Sequence, residues 1–156
     1  MDDTMRITYA TDFSAASRAA FHPALRLARA TGAGELTILH VLQSPASMFV
    51  APSYMSQQTW DLIEADLHAE ASQHMNALVK EASEAGVRAT PQLVRGGVPA
   101  EEIIRAAAEN KTDVLVLGTH GRSGVAKMML GSVAGRVVAH ATCPVLTVRM
   151  EEPSTR

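Results

Sequence analysis

The sequence predicts an α/β fold, a three-layer α/β/α sandwich in which helices cover both faces of a five-stranded parallel sheet. Short apolar segments alternate with helical segments in the order β-α-β-α-β-α-β-α-β. Alternation of this kind is typical of a parallel sheet with right-handed crossovers. The chain has 156 residues, of which 47% are hydrophobic and 19% charged. This length and composition predict one globular domain with a substantial core.

The first strand and helix are predicted near the N-terminus. Residues 5–10 alternate in polarity and contain β-forming side chains, which indicates a strand. A polar break follows, and its last residue, Ser14, is a suitable N-cap for a helix that reaches about residue 30. Gly32 and Gly34 are expected to end this helix.

The middle of the chain is predicted to contain two strands and a long helix. Residues 36–42 are apolar at most positions, so this second strand should be buried on both faces. Residues 43–56 are irregular, and long loops of this kind are often lids or mobile segments. Apolar residues then recur at three- and four-residue spacing over residues 56–85, which predicts a helix. Residues 87–94 form the third strand, in which Pro91 indicates an edge position.

The C-terminal part is predicted to contain two more helices and two more strands. Residues 99–110 begin with a proline and two glutamates, which suit the start of a helix. Residues 114–117 are fully apolar and form the fourth strand. A glycine-containing loop leads to a helix over residues 132–140, and residues 144–149 form the last strand.

Composition limits the classes of function. We assign residues 1–150 to one domain and residues 151–156 to a C-terminal tail. The net charge of −2 argues against nucleic acid as the main partner. No run approaches the roughly 18 apolar residues of a membrane span, and no secretory signal is recognised, so we expect a cytoplasmic protein. The single cysteine, Cys143, cannot form an intrachain disulfide and is expected to be a buried, inert thiol.

The loop after the fourth strand has the composition of an anion-binding site. Its four glycines are Gly118, Gly121, Gly124 and Gly131. Glycines let the backbone approach a phosphate closely, and the helix beginning at Ser132 directs N–H groups and a positive dipole end toward it. Arg122 and Lys127 add two positive charges. The pattern favours a phosphate-binding loop over a simple surface turn, although it matches neither the P-loop nor the Rossmann fingerprint.

The spacing Gly118-x2-Gly121-x9-Gly131-Ser132 resembles the G-2x-G-9x-G-(S/T) signature of ATP-binding universal stress proteins. The resemblance covers nearly the whole chain. It includes the segments Tyr9-Ala-Thr-Asp-Phe-Ser, Leu39-His-Val and Cys143-Pro-Val-Leu-Thr-Val. These segments occur together at the right separations, which is more specific than the glycine spacing alone.

The resemblance implies a strand order of 3-2-1-4-5, a homodimer paired through the last strand, and ATP as a ligand, with or without Mg²⁺. It implies that Asp12 lies at the nucleoside end and that the glycine loop holds the phosphates and ribose. Ala10 stands where a proline is frequent in the family, which we expect to alter the rigidity of the turn more than binding. The ATP contacts implied by the resemblance are Ala10, Thr11, Asp12, Val41, Gly118, Gly121, Arg122, Gly131, Ser132 and Val133.

Several of these residue types have simpler interpretations. Asp12 could form an Asx-turn or a helix entry, which is the commoner role of such an aspartate. His40 is expected to be a satisfied core histidine rather than a catalytic one. His120 lies in the glycine loop without an identifiable carboxylate partner, so it is a weak candidate base. Two helical pairs are interpreted as solvated surface pairs rather than metal ligands: Glu64 with His68, and Glu70 with His74.

No nucleophile, base and orienting group can be assembled from the sequence, so we assign no catalytic and no metal-binding residue. The leading hypothesis is an ATP-binding stress-response or signalling module that acts as a homodimer on an unidentified protein partner. Weak ATPase activity stays open. The alternatives are a nucleotide-hydrolysing or nucleotidyl-transferring enzyme on the same fold, and a partner-binding scaffold with an empty nucleotide site, in which the loop from Met48 to Tyr54 would matter most. Enzymes of the former kind generally carry H-x-G-H or S-G-G-x-D-S near the first strand, where this chain reads Ala-Thr-Asp-Phe-Ser.

Overall fold

The computed structural model describes residues 4–45, 54–120 and 130–151, and the elements below lie within them. The strands, β1 to β5 in chain order, are Arg6–Ala10, Glu35–Gln43, Ala89–Gly96, Val114–Gly118 and Val145–Val148. The helices, α1 to α5 in chain order, are Ala15–Arg18, Phe21–Thr31, Gln57–Glu84, Pro99–Glu109 and Ser132–His140.

All five strands are parallel and form one sheet in the order β3-β2-β1-β4-β5. The predicted α/β fold and strand order are therefore confirmed. The chain moves from β1 toward β3 on one side, and then returns to place β4 and β5 on the other side. Strand order consequently reverses between β1 and β4, and in sheets of this kind the crevice at that reversal is the usual ligand site.

Two hydrophobic cores lie on opposite faces of the sheet. The first core packs α2 and α3 against the sheet and contains Tyr9, Phe21 and Met75, all nearly fully buried. The second packs α4 and α5 against the other face and contains Leu39 and Leu115. Strand β2 contributes to both cores, which confirms that it is buried on both faces. Pro91 lies on β3, at the predicted edge of the sheet.

The prediction of one continuous helix after β1 is wrong, because the structure has two helices in this segment. α1 ends at Arg18 and α2 begins at Phe21. Pro23 has no N–H to donate to the carbonyl of Ala19, and its ring would clash with that carbonyl in a continuous helix. A break before Pro23 places the proline in the first turn of α2, where no N–H donor is needed.

The third strand begins two residues later than predicted. Gly86, with φ of 78°, ends α3 in the left-handed conformation that glycine adopts readily. Val87 then donates its N–H to the carbonyl of Ala82, 2.9 Å away, which closes the end of the helix. Val87 therefore belongs to the helix terminus, and β3 starts at Ala89.

Cys143 differs from the expectation of a buried thiol, because it is only partly buried against the second core. This partial burial still raises the pKa of the Cys143 thiol, which lowers the fraction of reactive thiolate at neutral pH. In the described parts of the chain, no helix is long and apolar enough to cross a membrane.

Candidate functional site

The turn between β1 and α1 is held by hydrogen bonds on both of its flanks. The N–H of Thr11 donates to the Leu39 carbonyl at 2.9 Å, and the Thr11 carbonyl accepts a hydrogen bond from His40 Nδ1 at 2.8 Å. Asp12 Oδ1 accepts from the N–H of Ser14 at 3.0 Å. Asp12 therefore forms an Asx-turn, which is the simpler of the two roles expected from the sequence. Its side chain is nevertheless partly exposed at the edge of the sheet.

A buried hydroxyl network joins this turn to α1. The Tyr9 hydroxyl donates to the Ser17 carbonyl at 2.8 Å, and burial raises the pKa of Tyr9, which keeps it a neutral donor. The Ser17 hydroxyl donates to the Ser14 carbonyl at 3.0 Å. The Thr11 and Ser17 hydroxyl oxygens lie 2.9 Å apart and share a hydrogen bond in which either can be the donor. Sequence reasoning missed this network, because the backbone conformation of the turn decides which of these neighbouring hydroxyls meet.

Ser14 is the N-cap of α1, as predicted. Its hydroxyl oxygen accepts a hydrogen bond from the N–H of Ser17 at 3.1 Å. The cap orients the short helix α1 directly after Asp12. It therefore contributes to the shape of the turn as well as to the stability of the helix.

Gly118, at the end of β4, has a packing role that the glycine spacing did not reveal. A Cβ atom at this position would lie 2.5 Å from the Ala16 carbonyl oxygen and 2.9 Å from its carbonyl carbon. Gly118 thus allows α1 to approach β4 closely. A side chain at this position would require α1 or β4 to shift, whether or not a phosphate binds nearby.

The N-terminus of α5 lies beside the end of β4. The N–H of Gly131 donates to the Thr119 carbonyl at 2.7 Å, and the N–H of Thr119 donates to the Val148 carbonyl at 3.0 Å. Gly131 is the N-cap, and no side chain of the residues that the structure describes caps this helix. Ser132 is exposed and Val133 partly buried. The first N–H groups of α5 and its positive dipole end are therefore suited to an anion at this edge.

Val41, on β2, lies level with the β1–α1 turn. The parallel register pairs Ala10 with Leu39, so Val41 lies two residues further toward the same edge, at the level of Asp12. Val41 is partly buried and packs against the second core, as does the buried Ala10.

The structure brings most of the predicted contacts to one edge of the sheet. Gly121 and Arg122 lie outside the described residues, as do Gly124 and Lys127 of the same loop. The predicted contacts that are described lie at or just after the end of β1, on β2, at the end of β4, and at the N-cap and first residues of α5: Ala10, Thr11, Asp12, Val41, Gly118, Gly131, Ser132 and Val133.

The histidines show no catalytic arrangement within the described residues. His40 is buried and bonded to Thr11, which confirms that it is a satisfied core histidine. His120 Nδ1 lies 3.0 Å from the Thr119 hydroxyl oxygen rather than from a carboxylate. Its buried Nε2 has no hydrogen-bond partner among the residues described.

Neither helical acid–histidine pair forms a metal site. His74 Nε2 lies 3.9 Å from Glu70 Oε1, and both side chains are well exposed, which confirms a surface pair. Glu64 Oε1 lies 3.7 Å from Arg95 Nη1 on the adjacent strand, and His68 is exposed. No group of three metal-ligating side chains occurs in the described ranges.

Comparison with known proteins relates this geometry to one family. Residues 4–149 match the model of the universal stress protein family. Universal stress protein MJ0531 of Methanocaldococcus jannaschii is 36% identical over 144 residues, covering 92% of this chain and 81% of the relative. Universal stress protein YxiE of Bacillus subtilis is 35% identical over 147 residues, covering 92% of this chain and 98% of the relative.

Solved structures share the fold. A universal stress protein family protein of Arabidopsis thaliana with AMP bound has a TM-score of 0.68 and 21% identity, covering 96% of each chain. The universal stress protein of Archaeoglobus fulgidus in complex with dAMP has a TM-score of 0.60 and 21% identity, covering 94% of this chain and 98% of that chain. With the family model matching almost from end to end, this chain belongs to the universal stress protein family.

Proposed function

We propose that this universal stress protein binds ATP at the sheet edge between β1 and β4, and that it acts as a nucleotide-dependent stress-response module. The observation that carries the proposal is that the Asp12 turn, Val41 and the N-terminus of α5 lie at the same edge of the sheet, where strand order reverses. We also propose that it acts in the cytoplasm. Its single cysteine cannot form an intrachain disulfide, and proteins without disulfides are usual in this reducing compartment.

The two ends of the nucleotide correspond to chemically different parts of this edge. Asp12 supplies a carboxylate suited to ribose hydroxyls, and the backbone of Val41 lies level with it for the adenine base. Gly131 and Ser132 begin α5, whose N–H groups and dipole favour phosphate. The nucleoside end is thus assigned to β1 and β2, and the phosphate end to α5.

The ligands of structural neighbours support the adenine nucleotide class. The Arabidopsis protein was solved with AMP and the Archaeoglobus protein with dAMP, which share the adenine base and a 5′-phosphate. ATP is the specific proposal because the glycine signature of the ATP-binding subgroup is complete in this sequence. Mg²⁺ would be held mainly by phosphate oxygens and water, as is usual for this ion.

The chemistry of the described residues fits holding a nucleotide rather than consuming it. The hydroxyls of Ser14 and Ser17 are engaged in the α1 cap and the turn. The imidazole of His40 is bonded to the Thr11 carbonyl. Bound ATP would therefore act as a signal, in that a partner protein would recognise the ATP-bound form of the protein.

The decisive experiment is to identify nucleotide retained by the purified protein and then to measure binding calorimetrically. The protein is denatured, the released small molecules are separated by chromatography, and ATP and inorganic triphosphate are titrated with Mg²⁺ into nucleotide-free protein. We expect ATP to bind more tightly than triphosphate, because only ATP uses both ends of the site. Absence of retained nucleotide together with no binding at about 1 mM ATP would refute the proposal.

We further propose a homodimer paired through β5. This strand is at the edge of the sheet, and apolar side chains on and near it are exposed: Leu146 to 39%, Val138 to 45% and Met150 to 44%. An edge strand with exposed apolar side chains is suited to pairing with another copy.

Leu146→Lys is expected to convert the dimer to a monomer, because it places a charge on the paired edge. The measurement is molar mass by light scattering at one protein concentration. Leu62→Lys is the matched control, since Leu62 is 64% exposed on α3 and should leave the mass unchanged. A monomeric wild type, or a Leu146→Lys variant with the mass of the wild-type dimer, would contradict the β5 interface.

A further inference from the structure

Phe13, the residue after Asp12, has an unusual backbone conformation. Its φ is 63°, in the left-handed region that disfavours residues with a side chain. Such a conformation persists only where surrounding contacts impose it, and it is found frequently at functional sites.

The Phe13 ring lies between two histidine rings from different elements. The centroid of the His40 ring on β2 is 4.2 Å away, and that of the His74 ring on α3 is 4.8 Å away. The planes are inclined by 32° and 27° respectively. We call His40, Phe13 and His74 the three-ring stack; it joins the β1–α1 turn to both β2 and α3.

The three-ring stack contacts or contains both residues that flank Asp12 in the chain, Thr11 and Phe13. His40 stacks on Phe13 and also donates from Nδ1 to the Thr11 carbonyl. The N–H of Phe13 donates to the Thr11 hydroxyl oxygen at 3.0 Å. Asp12 therefore lies between two residues that these contacts hold, and its own carboxylate accepts a hydrogen bond from the N–H of Ser14.

Close packing alone does not hold the Phe13 ring in place. The ring is only partly buried, and a cavity of about 170 Å³ adjoins it, lined also by Thr11, Arg18 and His74. Space is thus available for the ring to move. His74 closes one side of the stack, and its own side chain is 54% exposed. Removing the His74 ring should therefore release Phe13 at little cost to the fold.

We propose that the three-ring stack positions the nucleoside end of the ATP site, so that His74 on α3 controls nucleotide affinity through Phe13 and Asp12. This inference rests on the proposed function. His74 and Phe13 are positioning residues, because they act through the turn and the carboxylate of Asp12. The structure thereby assigns α3 a role in nucleotide recognition that neither the glycine signature nor the sheet edge indicates.

The test compares ATP with inorganic triphosphate in nucleotide-free variants. His74→Ala should weaken ATP about three- to tenfold, the range expected for one aromatic pair, and should leave triphosphate binding unchanged. His74→Phe should restore ATP affinity because it restores a stacking ring. His68→Ala is the matched control on the exposed face of the same helix and should bind both ligands as the wild type does.

A double-mutant cycle tests the route through Asp12. Asp12→Ala should weaken ATP and spare triphosphate, and adding His74→Ala to it should cause little further loss. If the losses of ATP affinity caused by Asp12→Ala and His74→Ala were fully additive in the double variant, His74 would not act through Asp12. Equal ATP affinity of wild type and His74→Ala would overturn the inference while leaving the proposed function intact, whereas failure of the wild type to bind ATP would overturn the proposed function.

A second measurement needs no nucleotide. Amide hydrogen exchange at Phe13 and Ser14 reports the bonds to Thr11 Oγ1 and Asp12 Oδ1 directly. Exchange at both amides should be faster in His74→Ala and unchanged in His68→Ala. Wild-type exchange rates in His74→Ala would overturn the positioning role whether or not ATP binds.

Discussion

Replacing Gly131 by valine is expected to abolish ATP binding and to leave the fold intact. The backbone at Gly131 has φ of −58° and ψ of 161°, which valine adopts without strain. The Gly131 N–H can still donate to the Thr119 carbonyl in the variant. The new side chain, however, would occupy the approach of a phosphate to the first N–H groups of α5. We expect ATP affinity to fall by at least about 100-fold, equivalent to about 3 kcal/mol.

The effect of Gly131→Val on stability should be small by comparison. Valine is a poorer N-cap than glycine, so the cost to folding is on the order of 1 kcal/mol. Calorimetric titration of ATP and thermal unfolding of the nucleotide-free protein measure the two effects separately.

Gly135→Ala is the matched control within the same helix. Among the residues that the structure describes, a Cβ at Gly135 meets Leu130 Cβ at 3.8 Å, an ordinary contact, and alanine favours a helix interior. This variant should bind ATP normally and be equally or more stable. Wild-type ATP affinity in a folded Gly131→Val protein would show that the phosphate end has been assigned to the wrong residues.

The sheet was predictable because its signals are local. Period-two strands and three- and four-residue helical spacing lie within short segments, and Pro91 marks the edge strand within its own segment. The break between α1 and α2 was missed because apolar spacing continues through residues 15–30. A proline in a first turn can start a helix as well as interrupt one.

The candidate site was only partly predictable, since its remaining contacts join distant segments. The sequence pattern indicated Asp12 and the N-terminus of α5, which carry recognisable residue types after strands. The three-ring stack could not be found in this way, because Phe13, His40 and His74 belong to three elements and no spacing links them. The positive φ of Phe13 likewise has no signal in the sequence, since glycine or asparagine would be expected there.

Gly118 has a packing role in addition to the phosphate-binding role that the glycine spacing predicts. The glycine spacing identified it as part of a phosphate loop, whereas the structure places it against the backbone of α1. The two roles predict different behaviour on substitution. If Gly118 were needed only for phosphate binding, its replacement would leave the stability of the nucleotide-free protein unchanged. If it is needed for packing, its replacement lowers that stability.

Gly118→Ala is accordingly expected to destabilise the nucleotide-free protein by about 2–6 kcal/mol. The added Cβ would lie 2.5 Å from the Ala16 carbonyl oxygen and 3.0 Å from Ser17 Cα, and neither is a flexible side-chain end. α1 would have to move away from β4, which adds strain of about 1–3 kcal/mol. That movement would also stretch the buried hydrogen bond from the Tyr9 hydroxyl to the Ser17 carbonyl, costing about 1–3 kcal/mol if it breaks.

Urea denaturation without nucleotide measures this effect free of any contribution from ligand binding. Gly97→Ala is the control, because a Cβ at Gly97 meets no atom of the described residues within 4 Å, and its stability should change by less than about 0.5 kcal/mol. Unchanged stability of Gly118→Ala would show that α1 can move at no cost and that its contact with β4 is not required. A destabilised Gly118→Ala would show instead that one glycine sets the distance between α1 and β4. Because α1 follows Asp12 directly, that distance also fixes how far the nucleoside end lies from the end of β4.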